Sequence, residues 1–233
     1  MATEIILIRH GHTVPVNGDY AHAPLTELGR EQAAKTGQYL AAQQRLDAFF
    51  SSTVRRARET AAIIGEKIGE TPAVKTGIQE IEGLEVPLLA ACEVLSIFDP
   101  VEDYLDDHAG KPIRWPLEGR VANALLEIVT GYPGQQVAVV THSGVISSVL
   151  AWLFPEQRLK WWLTTVNNCS FTRFRVENAR FELTDLNDTQ HLQPQEMTAQ
   201  PPSATVQATK QVMKTIEPPR KAVRFGGSNQ SKS

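Results

Sequence analysis

The sequence predicts a three-layer α/β/α sandwich built around a mostly parallel central sheet. Short apolar runs free of polar alternation, such as "EIILI" and "QVAVV", mark strands buried on both faces, as parallel strands are. These runs alternate with stretches of helical rhythm, the order of a layered domain with helices on both faces of its sheet. Polar clusters of arginine, histidine and serine follow directly on three of the runs.

Taken in order, Glu4 to Ile8 is the first strand, and the Gly-, Pro- and Asn-rich "GHTVPVNGDYAHAP" after it is a surface loop. Thr26 can cap a first helix on which Leu28, Ala33, Gly37, Leu40 and Ala41 share a face. "LDAFFSST" is a second strand. Ser52 or Thr53 can then cap a helix whose Ala57, Thr60, Ala61, Ile64 and Ile68 fall at helical spacing. Residues 83 to 116 hold prolines at 87, 100, 112 and 116 and the acidic "DPVEDYLDD", so an irregular excursion is expected, with 84–115 covering the site as a cap. "LEGRVANALLEIVTGYPG" returns to helix, "QQVAVVTHSG" is strand and turn, and "VISSVLAWLF" is a buried helix. "CSFTRFRVENARFELTDLND" alternates and bends at "ENAR", as two antiparallel strands would.

The 233 residues, 42% hydrophobic, suffice for one domain spanning 1–192 plus a low-complexity tail over 193–233. Gln190 to Ser233 carries six Lys/Arg against two Glu, a basic end on an acidic body, and its removal from about Gln193 is expected to leave turnover and melting unchanged. A net charge of -3 gives no reason for a nucleic-acid or membrane partner, and an oligomer, though possible, has no mark in the sequence. Cys92 and Cys169 are too few for a disulfide framework. The first apolar stretch runs straight into Arg9, unlike a secretory peptide, and the longest later one, Gly144 to Phe154, is shorter than a bilayer span of ~20 residues, so a soluble, cytoplasmic protein is expected.

In an open α/β sheet, ligands bind beyond the carboxyl ends of the strands. Arg9-His10-Gly11-His12, Ser51 through Arg56 and Thr141-His142-Ser143-Gly144 all stand at such ends. Guanidinium forks match the oxygens of a transferring phosphoryl group. Arg56, early in its helix, opposes the helix dipole unless an anion is bound there. Histidine can be neutral and nucleophilic near pH 7 and still pass through a charged covalent state, which makes His10 a candidate nucleophile; Gly11 permits close backbone approach. A zinc site on His10, His12 and His142 is the competing reading, but the surrounding arginines would repel a divalent cation, and neither metal nor cofactor is expected.

"LIRHGHT", "PLTELGREQA", "SSTVRRARETA", "VTHSGVI", "NNCSFTRF" and "LNDTQHL" together resemble, in order, the histidine phosphatase superfamily, the phosphoglycerate-mutase-like proteins. The resemblance covers most of residues 4 to 192 and implies the phosphoglycerate-mutase-like fold. It implies that His10 takes the phosphoryl group as phosphohistidine, that Arg9, Arg56 and His142 hold that group, and that Thr13, Asn17 and Ser143 line the pocket. It also implies that Glu80 protonates the leaving oxygen. The chain departs from the pattern at His12, where glutamate is common, and at Ser143, where glycine is common. A further departure is the run after Glu80, one residue shorter than usual, which leaves Glu82 as an alternative acid. A mutase must hold two anionic groups of one small substrate, whereas the segment after the acid is apolar and then acidic, with Leu84, Val86, Leu88, Leu89 and Phe98 available as a roof. Hydrolysis of a small phosphomonoester is therefore expected over mutase transfer. A catalytically silent phospho-ligand binder should have lost one of these groups, and none is lost.

Overall fold

The computed structural model describes residues 1–43, 46–80, 115–157, 161, 164, 166–178 and 180–199. The expected cap, 84–115, and the alternative acid, Glu82, thus lie outside the described residues except for Trp115, which opens a helix. Strands β1 (Thr3–Arg9), β2 (Ala48–Ser52), β3 (Ala73–Lys75), β4 (Gln136–Thr141), β5 (Phe171–Glu177) and β6 (Arg180–Asp188) alternate with helices α1 (Glu27–Gln43), α2 (Arg55–Ile68), α3 (Trp115–Gly131) and α4 (Ser143–Leu153). They form one sheet of order β3-β2-β4-β1-β5-β6. β3, β2, β4 and β1 run parallel, whereas β5 is antiparallel to β1 and β6 to β5. This is the expected mostly parallel α/β/α architecture.

Burial on both faces explains the strand sequences. Along β1, Ile5 and Leu7 enter the core that includes α3 and α4, while Ile6 and Ile8 enter the core that includes α1 and α2. Val137 and Val139 of β4 follow the first pair, and Ala138 and Val140 the second. Side chains of one strand point alternately to opposite faces, so a strand covered on both must be apolar at every position.

The helices differ from the sequence expectation in detail. Thr26 caps α1 through its hydroxyl, which accepts from the Gly29 N–H at 3.2 Å. α1 buries Gly29, Gln32, Ala33, Thr36, Gly37 and Leu40, while Ala41 is exposed. α2 is preceded by Val54 as cap residue with no side-chain cap bond, in place of Ser52 or Thr53. The three-residue edge strand β3 is too short for any periodicity to show in sequence.

The expected boundary after residue 192 falls within chain still attached to the body. Beyond it, Gln193 and Glu196 form a capping box around the 3-10 turn Pro194–Glu196. Glu196 is buried and pairs with Lys35, and Thr198 hydrogen-bonds to Asn167 and Asn168. Among the described residues, no helix is long and apolar enough to cross a membrane.

Candidate active site

Parallel pairing brings three strand ends to one edge of the sheet. Arg9 of β1 is in register with Thr141 of β4, and Ser51 of β2 with Val140. The next backbone N–H along β1, that of His10, donates to the Thr141 carbonyl at 2.9 Å. His10 and His142 consequently stand side by side, ring centroids 5.2 Å apart, with 2% and 0% exposure.

The hydrogen bonds of His10 fix its tautomer. Nδ1 donates to the Gly11 carbonyl at 2.8 Å, so in the neutral ring the lone pair is on Nε2. Nε2 accepts from Arg56 Nε at 3.1 Å. Burial holds the His10 pKa well below its ordinary value, reinforced by neighbouring His142 and by the charges of Arg9 and Arg56. The imidazole is therefore neutral at pH 7, with its lone pair beside a buried guanidinium.

Arg56 is 2% exposed, and the loop after β1 holds it from outside. Its Nη1 donates to the Tyr20 carbonyl at 3.1 Å, and the Tyr20 ring lies 4.6 Å from the guanidinium carbon. Arg9 donates to the Val166 carbonyl and is half-buried. Two positive charges enclosed against a neutral imidazole attract an anion and repel a divalent cation.

His142 ends β4 just before α4. Its Nε2 lies 2.9 Å from Ser52 Oγ, and that oxygen already accepts from the Val54 N–H at 3.3 Å. With the Ser52 hydroxyl donating to Nε2, the proton of the neutral ring is on Nδ1. This buried Nδ1 has no hydrogen-bond partner among the described residues. Burial lowers the His142 pKa well below its ordinary value, helped by Arg56, Arg9 and Arg120.

Glu80 comes from the chain after β3, and its Oε2 accepts from the Gly144 N–H in the first turn of α4 at 3.1 Å. A Cβ at Gly144 would fall 2.2 Å from Glu80 Oε1, so glycine is what admits the carboxylate. Arg120 of α3 interacts electrostatically with Glu80.

The remaining candidates lie further out. Thr13 spends its hydroxyl on the Pro24 carbonyl at 2.6 Å, and Asn17 occupies an exposed left-handed turn position at φ 53°. Ser143 is the partly exposed first residue of α4. His12 bonds through Nδ1 to Thr26 Oγ, and burial and Arg9 lower its pKa. Both His10 nitrogens and His12 Nδ1 have hydrogen-bond partners within the protein. Among the described residues, no three His, Cys, Asp or Glu gather at metal-binding distance. A Cβ at Gly11 would lie 2.5 Å from the Gly29 carbonyl oxygen, so glycine there admits the close packing of α1.

Sequence reasoning missed several supporting groups: Ser52 as partner of His142, Tyr20 over Arg56, Thr60, which accepts from the Gly11 N–H, and Asn168, which donates to the His10 carbonyl. The only available signal was their presence beside the motifs.

The family model of the histidine phosphatase superfamily (branch 1) matches residues 5–189. The chain belongs to the histidine phosphatase superfamily. Two relatives from Arabidopsis thaliana are similar to it. Phosphoglycerate mutase-like protein 4 is 26% identical over 204 residues, 82% of this chain and 87% of that protein. The metal-independent phosphoserine phosphatase is 30% identical over 164 residues, 63% of this chain and 67% of that protein. Among solved structures, phosphoserine phosphatase from Entamoeba histolytica, in complex with 3-phosphoglyceric acid, superposes with TM-score 0.65 at 23% identity, covering 82% of this chain and all of that one, a likeness of fold. As a histidine phosphatase, the chain has an arrangement of His142 with Ser52 and Arg56 that fits a phosphohistidine-mediated hydrolase.

Proposed function

We propose that the protein hydrolyses small phosphomonoesters, with His10 as nucleophile. Nε2 attacks phosphorus while the bond to the ester oxygen breaks; Glu80 gives its proton to that oxygen, and the alcohol leaves. Water then attacks the phosphohistidine, its proton passes to the Glu80 carboxylate, and the P–N bond breaks to return the lone pair to Nε2. Arg9 and Arg56 meet the charge spread over the phosphoryl oxygens, and His142 Nδ1–H supplies a further donor. An unsatisfied buried N–H costs ~1–3 kcal/mol, which a phosphoryl oxygen would remove.

The observation that carries this reading is the His10 ring itself, buried, neutral and fixed by the Gly11 carbonyl so that the unprotonated nitrogen is the one beside Arg56. The substrate class follows the relatives, one of which is a phosphoserine phosphatase, and the apolar-then-acidic sequence after Glu80, which disfavours a second phosphate. Turnover of a radiolabelled aryl phosphate, quenched in alkali, should leave an alkali-stable, acid-labile phosphoprotein, and His10→Ala should abolish label and turnover together. Retained turnover in that variant, or loss of activity on chelation, would sink covalent catalysis. Efficient interconversion of phosphoglycerates with little phosphate release would make the protein a mutase.

A further inference from the structure

Gly11 is gripped on both sides by hydrogen-bond chains that begin in the same place, the segment just past the expected domain end. On one side, Thr198 Oγ1 donates to Asn168 Oδ1 at 2.6 Å and accepts from the Asn168 N–H at 3.2 Å. The Asn168 amide in turn donates to the His10 carbonyl at 2.6 Å. On the other side, the Glu196 carbonyl accepts from Gln32 Nε2 at 2.6 Å, and Gln32 Oε1 accepts from the His12 N–H at 2.8 Å. Gln32 is fully buried and Asn168 nearly so, at 0% and 3% exposure, so neither amide has water to replace a lost partner.

The segment is itself anchored. Glu196 pairs with Lys35 and closes the capping box with Gln193, while the Thr198 and Ala199 N–H groups donate to Asn167 Oδ1 at 3.0 and 2.9 Å. Asn167 is tied in turn to Asn187, whose Oδ1 accepts its N–H at 2.6 Å. The hydrogen bonds and ion pair of residues 193–199 go to Lys35, Asn167, Gln32 and Asn168, and the last two carry the contact on to the nucleophile loop.

We propose that residues 193–199 are a strap that positions the nucleophile, with Thr198 acting through Asn168, and Glu196 through Gln32, on the loop that carries His10. This rests on His10 being the nucleophile. Thr198 is a positioning residue, since nothing it touches is a reacting atom. Removing its hydroxyl leaves the Asn168 carbonyl oxygen unpartnered and frees the amide to turn away from His10. A displaced ring meets phosphorus at a poorer angle, which lowers kcat more than it raises KM.

The test uses the full chain with Thr198→Val and Thr198→Ser. Valine keeps the shape and loses the hydroxyl; serine keeps the hydroxyl. Thr198→Val should lower kcat on an aryl phosphate roughly tenfold with KM nearly unchanged, and Thr198→Ser should restore it. Amide hydrogen exchange of the peptide spanning Arg9 to Thr13, which needs no turnover, should quicken in Thr198→Val and stay slow in Thr198→Ser. Unchanged exchange, unchanged kcat, or a loss that serine does not rescue would overturn the strap. Faster exchange in a protein whose wild type hydrolyses no phosphomonoester would instead remove the phosphatase reading and leave the strap's grip on the loop standing.

Discussion

The nucleophile loop and the acid-bearing segment sit at one edge of the same sheet and are held in very different ways. Around His10 to His12, backbone groups are taken by Thr141, Thr60, Asn168 and Gln32, all buried and contributed by β4, α2, the turn before β5 and α1. Glu80, by contrast, is half-exposed, anchored to α4 by the Gly144 N–H and near the exposed Arg120. On the proposed mechanism the His10 side receives the phosphoryl group, and its hydrogen bonds are already made in the free protein, as charge stabilisation in a transition state requires. Glu80 is the proposed proton donor, and its partial exposure leaves it open to the oxygen of a leaving group.

Arg56 offers the sharpest way to break the His10 side. It and Arg58 are on one helix two positions apart, yet Arg56 is buried against His10 and Arg58 is exposed. Arg56→Ala should lower kcat/KM by roughly 10²-fold or more, and Arg58→Ala should leave it within about twofold. Equal losses would put the guanidinium of the site on the other face of α2.

The Glu80 side should respond to the leaving group. Glu80→Gln should slow hydrolysis of an alkyl phosphate by roughly 10²-fold while costing an aryl phosphate, whose phenolate needs little protonation, about tenfold or less. Gly144→Ala, which sets a methyl against the carboxylate, should reproduce that selectivity more weakly. A loss equal for both esters would show that Glu80 does not protonate the leaving oxygen.

Protonation distinguishes the two sides again. His10 has a lowered pKa, so kcat/KM, corrected for the substrate's own ionisation, should hold as pH falls through 6.5 and decline only well below it. A decline centred at the ordinary histidine value would place the base elsewhere. The smallest effect concerns stability. Burial takes His191 from 6.5 to about 4, and its Nε2–H is shared between Thr36 Oγ and the Cys169 carbonyl. A depressed folded-state pKa means that the unfolded chain binds the proton first. The stability His191 contributes is thus whole above about 6.5 and is lost progressively as pH falls towards 4. His191→Gln should flatten that part of a melting-temperature profile.

Much of the His10 side was legible because its physics is local. A strand buried on both faces must be apolar throughout, so β1 and β4 announce themselves, and so do the polar clusters that end them. Arg9, His10 and His142 stand at or just past those ends, and Arg56 lies in the first turn of the helix after β2. What could not be read depends on contacts distant in sequence and made by small polar groups. Ser52 suits a helix cap equally well, and its partner His142 is 90 residues away. Asn168 reaches a backbone carbonyl 158 residues away. Thr198 and Glu196 sit in a stretch whose composition matches disordered chain, because a segment that docks by hydrogen bonds rather than by apolar area leaves no periodicity behind.

Cys169 turns the corner between Asn168 and β5 with φ 57°, fully buried, and burial pushes its thiol up to about 12. Thiolate, not thiol, reacts with alkylating reagents, so at neutral pH this sulfur is chemically silent while the fold persists. The chain has one other cysteine, Cys92, in the segment that follows the acid. A thiol-directed fluorophore or spin label taken up by the native protein therefore does not report from Cys169. Late labelling at a second site becomes a clock for unfolding.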